Sequence, residues 1–287
     1  MNETLATWLY VAAWYPTLVL ADALVARREG RWFLFGRPAF TASVFAWSVP
    51  FWLAFEMANL RLDNWHYAGL PENAVERWAG IVIAFATVFP AILVGERAME
   101  ALGIARGKDA RAGRFRVTPG RRTAIQAAGL ACMALTLLWP RTFYPLVWLG
   151  SLLLADPFVH RREPSRSLLG DLEQGRPGRI VRILLGGLAI GLLWELYNGA
   201  AGARWVYTVP GFDGWKVFAM PLPGFLGFPV FALSGYAAWQ ALVVTGLAVP
   251  RDGDPRPAPR AARIAALVLA AAFTALAILA MERGTVT

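Results

Sequence analysis

The chain has 287 residues, 57% of them hydrophobic and only 16% charged, with a mean hydropathy of +0.46. A soluble domain of this size carries about 25% charged residues, so the composition excludes an ordinary soluble enzyme and implies an all-α polytopic membrane protein. The net charge of +9 would raise nucleic acid as a partner in a soluble chain, but here the arginines sit in loops between apolar runs, where membrane topology accounts for them and no nucleic acid is expected. The one cysteine, Cys132, lies in an apolar run and can form no intrachain disulfide. The opening Met1-Asn2-Glu3-Thr4 lacks a basic region, so the first apolar run is expected to be retained.

Eight runs are predicted to be membrane segments: Leu5–Ala26, Thr41–Leu60, Arg77–Leu102, Thr123–Trp139, Phe143–His160, Ile180–Asn198, Val217–Val249 and Ala261–Met281. Most have the roughly 17–25 residues that cross about 30 Å of hydrocarbon. The fourth is short. The seventh is long and broken by Pro221, Pro223, Gly224 and Pro229, so its start is expected to be re-entrant or interfacial, covered by protein. About 22 of the 28 Lys and Arg residues fall in the loops after segments one, three, five and seven, which by the positive-inside rule puts both termini outside a bacterial-type inner membrane. The linkers Gly103–Arg122 and Pro250–Pro259 read as solvated inner loops, and no separate soluble domain is expected.

Two halves of the chain repeat one another. Phe55-Glu56-Met57-Ala58-Asn59, followed by Trp65-His66-Tyr67, returns as Trp194-Glu195-Leu196-Tyr197-Asn198, followed by Trp205-Val206-Tyr207-Thr208-Val209-Pro210. Phe89-Pro90 returns as Phe228-Pro229, and Trp14 with Asp22 returns as Trp148 with Asp156. The Glu-x-x-Asn and Phe-Pro pairs are offset by roughly 139 residues. Four segments per unit preserve orientation, so the expected architecture is two parallel four-helix repeats, residues 1–139 and 140–287, about an axis along the membrane normal.

The repeated unit carries the candidate chemistry. A carboxylate in a membrane helix is costly and faces a bundle interior or wet cavity, which makes Glu56 and Glu195 candidate general acids. One helical turn on, Asn59 and Asn198 share the acids' face and can orient a carboxyl or tie down the outer loop. Trp65, Tyr67, Trp205 and Tyr207 belong either to an aromatic belt or to a wall that steadies a cationic intermediate; Trp52 and Trp194 are close enough in sequence to extend that wall. Asp22 and Asp156, near the inner helix ends, are expected to cap or pair. His66 stands opposite Val206 in the repeat and is not expected to be a ligand. No zinc constellation, phosphate loop or nucleophile triad is present.

An acid at a helix end, an aromatic loop and a Pro-containing start to the next helix resemble the integral-membrane carotenoid enzymes: the lycopene cyclase domain of the heterodimeric type and the membrane carotenoid hydratases. Trp194-Glu195 resembles the cyclases' tryptophan–acid pair, and Met220-Pro221-Leu222-Pro223-Gly224-Phe225 their Leu-Pro-Leu-Glu-Glu run, with Leu70-Pro71-Glu72-Asn73 nearest in the first half. Pro223 and Gly224 stand where the cyclases have paired acids, a departure that weighs against lycopene cyclisation. Trp205-Val206-Tyr207-Thr208 is similar to the hydratases' Tyr-x-Tyr-Thr loop. The resemblance implies a membrane carboxylic acid that protonates an isoprenoid double bond, which needs no cofactor. Three readings stay open: an enzyme on a membrane lipid or other hydrophobic small molecule, a small transporter or lipid carrier, and a non-catalytic subunit of a membrane complex.

Overall fold

The computed structural model describes residues 2–106, 116–209, 216–253 and 256–286. Pro210, much of the Gly103–Arg122 linker and residues 254 and 255 of the Pro250–Pro259 linker lie outside the described residues. In chain order the elements are α1 (Glu3–Glu29), α2 (Pro38–Leu62), β1 (Trp65–Ala68), α3 (Ala74–Phe85), α4 (Val88–Ala101), α5 (Pro119–Leu138), α6 (Pro140–Phe143), α7 (Leu146–Arg162), α8 (Leu168–Gln174), α9 (Gly178–Ala200), β2 (Arg204–Tyr207), β3 (Lys216–Val217), β4 (Met220–Pro221), α10 (Gly227–Val244) and α11 (Arg260–Gly284). Short 3₁₀ turns at Pro164–Arg166 and Leu222–Leu226 precede α8 and α10.

The protein is helical and built for a bilayer. Among the described residues six spans are long and apolar enough to cross one: α1, α2, α3 with α4, α9, Leu222–Val244 and α11. The fourth and fifth expected segments are helices, α5 and α7, but they fall short of the others. Arg121, Arg122 and Gln126 occupy the first turns of α5, and α7 has 17 residues, about 26 Å of helix. Local chemistry sets the helix ends. Asn73 accepts the backbone N–H groups of Val75 and Glu76, Thr118 accepts that of Arg121, and Gly30 closes α1 in the left-handed conformation (φ 75°).

The third expected segment, Arg77–Leu102, is two helices, because Pro90 offers no N–H and crowds the carbonyl four residues back. Ser48 fills the gap in the ladder: its hydroxyl donates to the Phe85 carbonyl (2.6 Å) and accepts from Phe89 N–H (3.1 Å). Pro229 lies in the first turn of its helix. Of the seventh expected segment, Val217–Val249, residues 217–226 lie instead in the β3–β4 hairpin and a 3₁₀ turn, and the helix begins only at Gly227.

In the bundle α9 packs against α4 and α10, α1 against α4 and α9, and α7 against α10. A Cβ on Gly186 would come within 2.9 Å of the Gly95 backbone, so the α4–α9 crossing requires glycine there. α5 lies along α7, and α11 along α2. Near the C-terminal ends of α1 and α7 two aspartates serve the same purpose. Asp22 accepts backbone N–H groups from Phe33 (2.8 Å), Leu34 (2.9 Å) and Phe35 (2.8 Å); Asp156 accepts those of Leu168 and Leu169, both at 2.8 Å. Each is a buried cap for the loop that follows its helix.

Candidate functional site: an aromatic cavity between two acid motifs

Glu56 and Asn59 lie in the last turns of α2, and Glu195 and Asn198 in the last turns of α9, all four without exposed surface. The spacing puts each acid and amide on one face, but their partners differ. Asn59 donates to the Trp65 carbonyl (2.7 Å) and accepts from Asn64 N–H (3.0 Å). Asn198 donates to the Trp205 carbonyl and accepts from Trp205 N–H, both at 2.9 Å. A primary amide has both a donor and an acceptor to offer, and in both halves it spends them on loop backbone rather than on the carboxyl.

The loops so anchored meet. β1 and β2 pair antiparallel, with Trp65 opposite Tyr207, His66 opposite Val206 and Tyr67 opposite Trp205. The two Trp-x-Tyr motifs therefore lie side by side, with His66 and Val206 at the centre of the pairing. His66 serves as a strand residue. Thr208 N–H to the Asn64 carbonyl (2.9 Å), Tyr67 N–H to the Thr285 carbonyl (2.7 Å) and Gly202 N–H to the Ala6 carbonyl (2.8 Å) fasten the pair to the surrounding chain.

Alternation along a strand sends Trp65 and Tyr67 to one side, and Trp205 and Tyr207 likewise. They line a cavity of about 210 Å³ together with Trp52 and Trp194, with Tyr10 and Tyr144, and with Trp148, Phe228 and Phe231. The rings pack edge to face or tilted: Tyr10 to Trp205 at 5.3 Å, Trp148 to Phe231 at 5.1 Å, Phe55 to Trp148 at 4.6 Å. At the rim are Asn64, Arg77 and Arg204. Arg77 is committed to Glu282, with two contacts of 2.6 Å.

The carboxyls stand behind this wall rather than in it. Neither Glu56 nor Glu195 lines the cavity, and neither asparagine does. Their connection to it runs through ring substituents. Glu56 accepts from Tyr67 hydroxyl (2.6 Å), Trp52 Nε1 (2.8 Å) and Trp65 Nε1 (3.1 Å). Glu195 accepts from Tyr207 hydroxyl (2.7 Å), which in turn accepts from Trp205 Nε1 (2.7 Å). Burial, then the adjoining carboxyl, push both the Tyr67 and the Tyr207 hydroxyls well above the ordinary tyrosine range, so they remain protonated donors.

All six aromatic residues expected from the sequence thus gather on one cavity, with both acids hydrogen-bonded to its wall. Sequence reasoning missed Tyr10 and Tyr144. Their offset matches that of Trp14 with Trp148 and of Asp22 with Asp156, and this was the signal that could have found them. Arg77 and Asn64 carry no such mark. Comparison of the chain with protein-family models, with curated proteins and with solved structures finds no match.

Proposed function

We propose that this protein binds an isoprenoid or similarly elongated apolar lipid in the aromatic cavity and acts on it with a carboxyl proton, as a cyclase, hydratase or isomerase of membrane lipids does. The observation that carries the reading is the wall itself. Four Trp and Tyr side chains from two paired loops, with Trp52 and Trp194 from the helices before them, converge on one apolar space, and the wall tyrosines donate to buried carboxyls within hydrogen-bond distance. Aromatic faces suit a polyene and a transient carbocation alike. The chemistry consists of proton transfer from a carboxyl to a double-bond carbon, leaving the carboxylate and a cation that, directly or after closing a ring or taking up water, gives a proton back to restore the acid. Because the acids sit behind the tyrosines, Tyr67 or Tyr207 passes the proton, giving up its own and taking one from the glutamate.

The same proposal includes the topology. Eight helices form two parallel four-helix repeats, α5 and α7 completing the set, with both termini on the outer face of a bacterial-type inner membrane and the cavity in its outer leaflet. The carrier reading loses its inner ionisable layer, since Asp22 and Asp156 are both spent on backbone N–H groups.

The test is mass spectrometry and absorption of the lipid that stays with the protein through gentle extraction. A retained polyene or polyprenyl species, lost when Trp194 and Trp205 are both replaced by Ala, is the expected result. Bulk phospholipid alone, unchanged by those substitutions, would overturn the reading.

A further inference from the structure

The aromatic cavity has one charged corner. Among the described residues that line it, the charged ones are Arg77 and Arg204, with no acid beside them. Arg77 is fully engaged: Glu282 takes its Nε and Nη2, both at 2.6 Å, and the Pro71 and Glu72 carbonyls take Nη1 at 2.6 and 2.9 Å. Arg204 both lines the cavity and is exposed, which puts it at the rim, and its guanidinium forms no hydrogen bond or ion pair among the described residues. An apolar cavity with one uncompensated cation at its edge is complementary to an amphiphile with an anionic end.

Backbone contacts hold that corner in place. Gly202 N–H donates to the Ala6 carbonyl (2.8 Å), which fixes the approach to β2 on the first turn of α1. A Cβ on Gly69 would lie 2.4 Å from the Gly202 carbonyl oxygen, so the loop leading to Pro71 packs on the same point. Thr7, next to Ala6, also lines the cavity, and its hydroxyl has no partner among the described residues.

The opposite corner is neutral. Arg204 precedes Trp205 as Asn64 precedes Trp65, but the antiparallel pairing sends the two apart. Arg204 stands opposite Ala68, while the Asn64 carbonyl accepts Thr208 N–H. Four residues of strand, about 13 Å, lie between those two pairs. Asn64 offers that end only an amide, its Oδ1 buried without a partner among the described residues. The cavity therefore has a direction.

We infer that Arg204 is the head-group residue of the cavity: an isoprenoid chain lies among the aromatic rings, and its terminal phosphate pairs with Arg204 at the rim. A guanidinium fork takes two oxygens of a phosphate, which leaves a third for the Thr7 hydroxyl. The inference rests on the cavity being an isoprenoid site and adds which end of the lipid goes where.

The test compares geranylgeranyl phosphate with geranylgeraniol in the full chain, solubilised in a neutral detergent, at equal mole fraction in the micelle, by quenching of tryptophan fluorescence. One charge-assisted hydrogen bond predicts about tenfold tighter binding of the phosphate. That preference disappears in Arg204→Gln, which still binds geranylgeraniol as the unaltered protein does. It survives in Arg61→Gln, which removes the same charge from an exposed residue outside the cavity. Equal affinity for the two probes in the unaltered protein overturns the phosphate subsite and leaves the apolar cavity standing. A preference that Arg204→Gln leaves intact, or that Arg61→Gln also removes, overturns it as well, since the net charge of the chain then accounts for it. Inorganic phosphate separates a lipid head from a free ion. If it alone gives a change that Arg204→Gln abolishes, while the two probes bind equally, the rim takes a free anion and the head-group assignment falls. Failure of both probes to bind overturns the lipid reading beneath it.

Discussion

The protein buries carboxylates at both ends of its bundle, and the two ends treat them differently. At the end that the proposed topology makes inner, Asp22 and Asp156 receive backbone N–H groups, three and two respectively, from the loop that follows. At the outer end Glu56 and Glu195 receive hydroxyl and indole donors that belong to the lining of a cavity. Backbone donors cannot leave without unfolding the loop, so the inner carboxylates are fixtures of the fold. Side-chain donors can rotate, and here they separate a buried acid from an open space. A carboxyl that reaches a cavity through a movable ring can respond to what the cavity holds.

The comparison breaks first at the inner end. Asp22→Ala strands three N–H groups at once, one of them buried and two partly buried, and is expected to cost about 2–4 kcal/mol, with Asp156→Ala slightly less. Thermal unfolding in detergent should show a large loss for both. A loss below about 1 kcal/mol would show that water replaces the carboxylate freely and would remove the distinction between the two ends.

Within the outer end the two acids should separate. Glu56→Gln turns an amide NH₂ toward indole and phenol donors, so about 2–3 kcal/mol is expected to be lost. Glu195→Gln can keep its oxygen on Tyr207 and place its NH₂ where no donor stands, for a loss of about 1 kcal/mol or less. On turnover of a lipid identified by co-purification the ranking inverts: Glu195→Gln abolishes it and Glu56→Gln spares most of it. Equal stability losses and equal activities would mean that the asymmetry of hydrogen bonding has no energetic content.

Much of this arrangement could be read before the fold was known, because it follows from local spacing. Apolar runs marked the helices, and the two Glu-x-x-Asn and Trp-x-Tyr stretches marked the helix ends and loops that meet as β1 and β2. What could not be read was anything decided between helices. The asparagines' choice of loop backbone over carboxyl depends on where β1 and β2 come to rest. Tyr10 and Tyr144 reach the cavity from helices that begin each half, far from the acids in sequence. The short apolar length of α5 and α7, and the hairpin opening of the seventh expected segment, reflect charges and prolines whose effect depends on what covers them. Trp52 was readable in part, since one turn before an acid is a neighbouring position on a helix.

The two Phe-Pro interruptions offer a smaller contrast. In the first half Ser48 bridges the broken ladder; the matching residue is Gly187, where a Cβ would lie 2.4 Å from Ala232 Cβ. There the residues before the Phe-Pro pair form a hairpin and a 3₁₀ turn rather than a second helix. Ser48→Ala should therefore cost about 1–2 kcal/mol and raise hydrogen exchange around Phe85–Phe89. Unchanged exchange there would show that the serine is incidental to the break.

The smallest expected effect isolates burial from donor type. Glu173, in α8, accepts Val117 N–H (3.0 Å) and contacts His160 Nε2 (3.2 Å), so it holds a backbone donor as the inner aspartates do. Unlike them it is open to water, with 36% of its side chain exposed. The Val117 N–H, then His160, hold the Glu173 carboxyl below its usual range. Its contribution is therefore present in full above the ordinary glutamate range and is lost as pH falls through the lowered value. Glu173→Gln should reduce stability near pH 7 by less than about 0.5 kcal/mol, and the difference should vanish on acidification, because the protonated glutamate and the glutamine are then alike. Thermal unfolding of both proteins from pH 7 down to about 3 gives the comparison. If the variant instead loses as much as Asp22→Ala, the backbone donor alone, and not its burial, makes an inner carboxylate a fixture.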